Sequence, residues 1–272
     1  MVFTTEGLLG VLARKVEKLV GVLGEEVVDL ARLRQCLAEG VPDEATIIRE
    51  YVWKLVLGYL PPERSKWQSA VEKQRSTYFG LVEMFLSAER YPDYPIQLRR
   101  GHPRYQELEE DYLLWEQIEK DTARTHAEFS FFVKESPPIL LPFLTSARRE
   151  KFKLIYGEDE EVYRGFMGSR EEQRRTYRYD YMTRILFVWA KLNPRVQYVQ
   201  GMNEILAPLF YLVNGGRAAG AMDEAACFFM FNAAISDTLE LHIKDLDRDE
   251  QGIYGKLGQV NDMLVVLRPP PR

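Results

Sequence analysis

The chain has 272 residues, of which 46% are apolar and 28% charged, and its formal net charge is −5. This length suits one large domain or two small ones, and the composition is ordinary for a globular protein. The negative charge argues against a nucleic-acid binder, which needs a basic face to neutralise phosphates. Because no run of 18 apolar residues occurs and no apolar core follows a basic start, we expect neither a membrane span nor a signal peptide.

The cysteine content is compatible with a reducing compartment. Cys36 and Cys227 are isolated in the sequence, so they predict neither a disulfide framework nor a zinc cluster. Both lie among apolar or helix-forming neighbours, and we expect both thiols to be buried. The simplest location for such a protein is the cytoplasm.

The first hundred residues read as a series of helices. Residues 6–38 carry two apolar stripes at helical spacing, with a break between Gly21 and Gly24. A turn at residues 40–43 follows, and Asp43 is predicted to cap a third helix whose apolar stripe runs to residue 59. We place Trp53 of this helix in the core.

Two further helices are predicted before residue 121. Ser65 is expected to cap a helix over residues 66–89, and a surface loop follows to residue 103. Residues 104–120 then resume a helix, whose acidic side is predicted to be a solvated face: Glu107, Glu109, Glu110 and Asp111. The histidines do not stand at ligand spacing to these carboxylates, so we expect no metal site.

The second half of the chain alternates charged and apolar segments. Residues 146–178 are rich in both charge signs and predict exposed helix or mobile loop. A helical stripe follows and stops at Asn193–Pro194: Met182, Ile185, Leu186, Trp189 and Leu192. A helix ending near Val213, another capped by Asp223, and a helical segment at 239–267 complete the chain. We find no period-2 strand pattern, internal repeat or phosphate-binding glycine motif, so we predict an all-α fold without a sheet.

Gln200 lies at the junction between two of these helices. It follows Tyr198 and Val199 and precedes Gly201, after which a second apolar run starts. Two interpretations remain open from these residues alone. The amide is either a polar helix cap or a group that reaches out from a fixed backbone toward a partner.

A second motif lies about eighty residues upstream, where Ile118, Asp121, Arg124 and Thr125 end another predicted helix. They match the pattern I-x-x-D-x-x-R-T, and the segment from Tyr198 to Met202 matches Y-x-Q-G-M. Together these two motifs resemble the signature motifs of TBC domains, the GTPase-activating domains that act on Rab GTPases. Ala127 stands where the family commonly has a proline.

The resemblance extends to the start of the domain. The opening of a TBC domain is similar to four parts of this chain: residues 40–42, Arg49, the segment 53–55 and the segment 59–61. We therefore expect a helical N-terminal extension at 1–39, a TBC-like domain at 40–267 and a proline-rich end at 268–272. The family's domain continues with more helices and a third motif, so this chain is expected to correspond to the N-terminal part of that domain.

The resemblance implies that the protein is not an enzyme in its own right but activates a partner, a Rab-type GTPase in its GTP form. Arg124 is implied as an arginine finger and Gln200 as a glutamine finger. Asp121 either orients Arg124 or caps a turn, and Gly201 permits close backbone approach. The remaining motif residues are expected to support these groups by packing or bracing: Thr125, Tyr198, Met202 and Asn203.

The same resemblance implies no cofactor, because GTP and magnesium are carried by the partner GTPase. It also implies a role in membrane traffic, with recruitment to intracellular membranes by peripheral contact. The alternative is a non-catalytic helical scaffold that binds a small GTPase or another partner. The presence of both Arg124 and Gln200 favours the activating function, since a scaffold needs neither.

Overall fold

The computed structural model describes residues 5–43, 45–87, 90, 104–139, 141–143, 176–216 and 222–236, with side chains from residue 12 onward. Predictions for the loop at 91–103, most of the charged segment at 146–178 and the helical segment at 239–267 lie outside these residues. The described part contains the Arg124 and Gln200 motifs in full.

Helices dominate the described residues. In chain order they are α1 (Thr5–Leu23), α2 (Leu30–Leu37), α3 (Thr46–Val56), a 3₁₀ turn (Arg64–Lys66), α4 (Trp67–Leu86) and α5 (Tyr105–Thr122). After a short strand β1 (Glu135–Ser136) come β2 (Thr176–Tyr177), α6 (Arg178–Leu192), α7 (Met202–Asn214) and α8 (Glu224–Ser236). The all-α prediction is confirmed. The expectation of no sheet is wrong only for the two-residue antiparallel pair of β1 and β2.

Helix α6 lies at the centre of the fold. Its residues 178–190 are all buried, because α4, α5, α7 and α8 each pack against it. The predicted apolar stripe is buried through Trp189, while Leu192 at the helix end is 40% exposed. On the α5 side, the Trp115 and Phe187 rings meet edge to face at 5.1 Å. The centre of the molecule therefore holds α5 and α7, the two helices next to the motifs, in fixed positions.

A buried ion pair ties three helices together. Glu224 of α8 accepts hydrogen bonds from Arg184 Nε of α6 at 2.9 Å and from the Tyr78 hydroxyl of α4 at 2.9 Å. Burial, followed by the charge of Glu224, raises the pKa of Tyr78 well above its usual range. Loss of one partner of a buried ion pair costs about 3–5 kcal/mol, because the other charge stays buried.

The helix starts differ from the prediction at two positions. Asp43 does not cap α3, which begins at Thr46 without a side-chain cap; it forms an ion pair with Arg49 instead. Ser65 lies inside the 3₁₀ turn, so α4 begins two residues later without a side-chain cap. The predicted cap of α8 is present, since Asp223 Oδ1 accepts the Ala226 N–H at 3.3 Å.

Three side chains have environments other than those predicted. Trp53 is 43% exposed rather than part of the core. Cys36 is only half-buried, whereas Cys227 is fully buried as expected. Asp111 is not solvated but 2% exposed, with Arg90 and Lys191 as ion-pair partners. The acidic side of α5 therefore meets basic groups of the fold at two positions, since Glu107 also pairs with Arg90 and Arg104.

Two kinds of feature are missing from the described residues. No group of three or more histidine, cysteine or carboxylate side chains in these ranges is placed to hold a metal ion. Among the helices named above, none combines the length and apolar character needed to cross a bilayer.

Candidate functional site

The chain turns sharply where α5 ends. The backbone carbonyl of Asp121 accepts both the N–H and the hydroxyl hydrogen of Thr125, at 3.1 and 2.9 Å. His126 then adopts a left-handed conformation with φ of 46°. The Phe129 N–H donates to the His126 carbonyl at 2.8 Å, which continues the series of turns. We call residues 123–132 the arginine loop, because Arg124 lies at its start.

Arg124 projects from this loop into solvent. Its side chain is 73% exposed, yet its position is defined by two hydrogen bonds. Nε donates to the Lys120 carbonyl at 2.9 Å, and Nη2 donates to Asp121 Oδ1 at 2.7 Å. Two of the nitrogen atoms of the guanidinium therefore donate to the chain and fix its orientation. Other N–H groups of its planar fork remain as possible donors to a further acceptor. The predicted contact between Asp121 and Arg124 is thus present in the structure.

The loop that carries Gln200 connects α6 to α7 through an unusual backbone geometry. Gly201 immediately precedes α7 and has φ of 102° and ψ of −17°, a left-handed conformation that favours glycine. Gln197 also has a positive φ, of 56°. We call residues 193–201 the glutamine loop. Pro194 ends the periodicity of α6, and the left-handed Gly201 directly precedes the periodicity of α7.

Gln200 is not the cap of α7. The residue at the cap position is Gly201, and no side-chain capping hydrogen bond is present there. The Gln200 side chain is exposed, and no hydrogen bond of its amide to any described residue is seen. The cap interpretation is therefore wrong, and the amide is available to a molecule outside the chain.

A buried hydrogen-bond network joins the two loops. The Tyr198 hydroxyl lies 3.0 Å from Asp121 Oδ2 and 3.1 Å from Asn203 Oδ1, so its one hydrogen points toward two acceptors. Asn203 Nδ2 donates to Thr125 Oγ1 at 2.7 Å, and the Gly201 N–H donates to Asn203 Oδ1 at 3.2 Å. Two motifs about eighty residues apart in sequence are thereby fixed to each other.

The electrostatics of the network keep its donor protonated. Burial raises the pKa of Tyr198 far above its ordinary value, and the negative charge and hydrogen bond of Asp121 raise it further. The phenol therefore stays neutral and continues to donate a hydrogen bond above the pH at which a free tyrosine ionises. Asp121 serves both loops at once, since one carboxylate oxygen accepts from Arg124 and the other faces Tyr198.

Met202 contributes packing rather than polar chemistry. It is 1% exposed, and its sulfur accepts the Val199 N–H at 3.3 Å. This contact closes the glutamine loop onto the first turn of α7 beside the Gln200 backbone. The exposed group of the motif is thus Gln200, while Tyr198, Met202 and Asn203 are buried beneath it.

One further bridge between the loops involves residues that the sequence did not single out. His126 Nε2 lies 3.4 Å from Glu204 Oε2, and Glu204 Oε1 accepts the Asn203 Nδ2 at 3.0 Å. His126 belongs to the arginine loop and Glu204 to the first turn of α7. No spacing in the sequence could have revealed this pair, because it joins a loop residue and a helix residue that only the fold brings together.

Comparison with known proteins shows which proteins the chain resembles. A model of the Rab-GTPase-TBC domain matches residues 148–265, a segment that includes α6, α7 and the glutamine loop. A TBC domain-containing protein of Schizosaccharomyces pombe is 27% identical over 92% of the chain, and TBC1 domain family member 13 of Homo sapiens is 28% identical over 89%. Residues 148–265 therefore match the Rab-GTPase-TBC domain, and the chain is similar to TBC domain proteins over most of its length.

The fold of the chain is similar to that of a solved structure. The crystal structure of the Ypt/Rab-GAP domain of Gyp1p aligns with a TM-score of 0.55 and 20% identity, covering 94% of this chain and 65% of that one. This likeness shows the all-α TBC fold. The chain spans 54% of the length of the fission yeast relative and 70% of the human one. The family model begins after the arginine loop, so Arg124 lies outside the matched segment.

Proposed function

We propose that this TBC domain is a GTPase-activating protein for a Rab-type small GTPase in its GTP form. It supplies Arg124 and Gln200 to the partner's nucleotide site and performs no reaction of its own. The observation that carries the proposal is the buried network of Asp121, Tyr198, Asn203 and Thr125, which holds two exposed side chains on adjoining loops. The match of residues 148–265 to the Rab-GTPase-TBC domain supports the choice of partner, and one similar protein, of Schizosaccharomyces pombe, is named GTPase-activating protein gyp1.

Arg124 supplies the charge that the reaction lacks. During GTP hydrolysis negative charge spreads over the phosphoryl oxygens, and an arginine inserted from outside raises the rate by about 10³–10⁵. The guanidinium is always protonated and presents a planar fork of donors to such oxygens. Because the side chain is 73% exposed, it can leave Asp121 and enter a partner without unfolding the loop.

Gln200 supplies an amide that orients the attacking water. Such an amide must be fixed by its backbone and remain unpaired until the partner arrives. The left-handed Gly201 and the buried Met202 fix the backbone, and the exposed amide has no hydrogen bond to a described residue. In this proposal the amide replaces the glutamine of the GTPase itself.

GTP and magnesium belong to the partner in this account. The proposed setting is the cytoplasm, with recruitment to the membranes on which Rab GTPases direct traffic. The rival proposal is a scaffold that binds a GTPase without accelerating it.

The test is single-turnover GTP hydrolysis by a panel of Rab proteins. The parent chain is compared with Arg124→Ala and Gln200→Ala, and with the controls Arg75→Ala and Gln68→Ala on α4, where both residues are exposed. We expect acceleration of at least one Rab, loss of at least about 10³-fold in the Arg124 variant, and no loss in the controls. Binding without acceleration of any Rab would favour the scaffold.

A further inference from the structure

Two exposed aromatic rings meet beside the arginine loop. Phe129 of the loop and Tyr211 of α7 are 44% and 45% exposed, and their ring centroids lie 5.2 Å apart in an edge-to-face arrangement. We call these two rings the aromatic pair. Large apolar side chains that are exposed together, rather than singly, commonly mark an interaction site.

The aromatic pair rests on a buried aromatic layer. Phe131 is 8% exposed and lies 4.9 Å from the Tyr211 ring, and Phe132 is 3% exposed and lies 6.1 Å from the Phe129 ring. The Arg178 guanidinium covers the other side of Phe131 at 4.1 Å. The exposed rings are therefore held in place before any partner arrives, which lowers the entropic cost of binding through them.

The position of the pair relative to the two loops can be estimated from chain geometry. Tyr211 stands ten residues beyond Gly201 along α7, which is about 15 Å at the rise of an α-helix. Phe129 stands five residues beyond Arg124, which is at most about 17 Å of extended chain and less in a series of turns. A specific interface buries about 800 Å² on each partner, equal to a disc of about 16 Å radius. Both estimates are close to that radius, so a partner centred on the two loops extends to about the position of the pair.

We infer that the aromatic pair is a docking contact for the GTPase, and that it recognises an apolar patch beside the nucleotide pocket of that partner. The inference rests on the proposed function, because Arg124 and Gln200 set where the partner must stand. Rigid aromatic side chains such as tyrosine are enriched among the residues that carry binding energy at interfaces. The pair acts in binding and specificity, while the chemistry stays with the two loops.

The experiment separates binding from turnover. We would measure KM and kcat for the stimulated Rab, and the dissociation constant for that Rab bound to GDP and aluminium fluoride, with the parent, Phe129→Gln and Tyr211→Gln. The matched control is Phe79→Gln on α4, because Phe79 is 41% exposed and meets Tyr78 edge to face at 5.3 Å. We expect KM and the dissociation constant to rise at least about tenfold in both variants, with kcat changed less than about twofold and the control unchanged.

Several results would overturn the inference. An unchanged KM with an active parent, or a fall in kcat alone, would show that the rings shape the loop and touch no partner. Self-association of the parent that both variants abolish, with KM unchanged, would assign the pair to a second copy of the chain. If one variant fails to fold, as judged by its melting temperature, the values measured for the other variant decide whether the inference holds.

A parent that binds a Rab without accelerating it would contradict the proposed function, and the dissociation constants would still test whether the aromatic pair contacts the partner. Absence of binding to every Rab would overturn both.

Discussion

Asp121 is the residue on which the arrangement of the site depends. Its side chain is nearly buried, yet it borders the most exposed group of the site, the Arg124 guanidinium. One carboxylate oxygen accepts from Arg124 and the other faces the Tyr198 hydroxyl, while its backbone carbonyl accepts from Thr125. A single acidic residue thus orients one proposed finger and connects it to the loop of the other.

The Arg124→Lys variant tests whether geometry or charge matters at this position. A lysine keeps the positive charge but loses the planar fork, so we expect stimulated hydrolysis to fall by at least about 10²-fold. The free energy of unfolding should change by less than about 0.5 kcal/mol, because the side chain is mainly exposed. Single-turnover hydrolysis and urea denaturation measure the two quantities. A lysine variant as active as the parent would remove Arg124 from the proposed role.

At the scale of elements, the left-handed turn before α7 sets the direction of Gln200. A Cβ built on Gly201 meets no atom within 4 Å, so any effect of Gly201→Ala comes from its φ of 102° alone. We expect the variant to lose about 1–2 kcal/mol of stability, the usual cost of a left-handed non-glycine residue. Denaturant unfolding monitored by circular dichroism gives the value.

Gly80 provides the matched control for that substitution. It lies inside α4, and a Cβ there also meets no atom within 4 Å, but its backbone is helical. Gly80→Ala should therefore stabilise the protein by about 0.5–1 kcal/mol. Two alanine variants that shift stability in the same direction would contradict the role given to the Gly201 backbone.

The contact between α6 and the segment that follows β1 predicts a pH effect. The Tyr181 hydroxyl donates to the Pro137 carbonyl at 2.8 Å, and burial, with the charge of Glu224, raises the pKa of Tyr181 to about 12. In the unfolded chain a tyrosine titrates near ~10. Between these values the unfolded state loses its proton while the folded state keeps it, so stability falls as pH rises.

Tyr181→Phe isolates this contribution. Its stability deficit relative to the parent should be constant between pH 7 and 9 and should shrink between about pH 10 and 12, where the advantage of the parent is lost. Urea midpoints of both proteins across this range provide the measurement. A deficit that stays the same up to pH 12 would show that Tyr181 does not hold its proton more tightly in the folded state.

At the scale of the whole molecule, the sequence predicts the helices well because their apolar stripes are long and regular. It predicts the buried side of α6 as far as Trp189 and the end of α7 near Val213. It places Trp53 in the core wrongly. A large aromatic residue close to an apolar stripe is predicted to be buried even when its side chain points away from the core. The predicted cap at Asp43 is wrong because its carboxylate forms an ion pair. The predicted cap at Ser65 is wrong because this residue lies inside a 3₁₀ turn.

The site was predictable as two separate motifs but not as one arrangement. Arg124, Gln200 and Asp121 are recognisable in the sequence, and the contact of Asp121 with Arg124 follows from their three-residue spacing. The bonds of Tyr198 to Asp121 and of Asn203 to Thr125 depend on how α6 brings α5 and α7 together, which no local pattern encodes. The aromatic pair likewise joins a loop residue to a helix residue about eighty positions away.

The most direct test of the central claim uses a Rab whose own switch glutamine is changed to alanine. If Gln200 orients the water in place of that residue, the parent chain should still accelerate this Rab, by at least about 10³-fold over its intrinsic rate. Gln200→Ala should abolish the acceleration and leave the unfolding midpoint unchanged, because the exposed amide has no hydrogen bond to a described residue. A parent that fails on the altered Rab but accelerates the natural one, or a Gln200 variant that keeps full activity on both, would contradict the account.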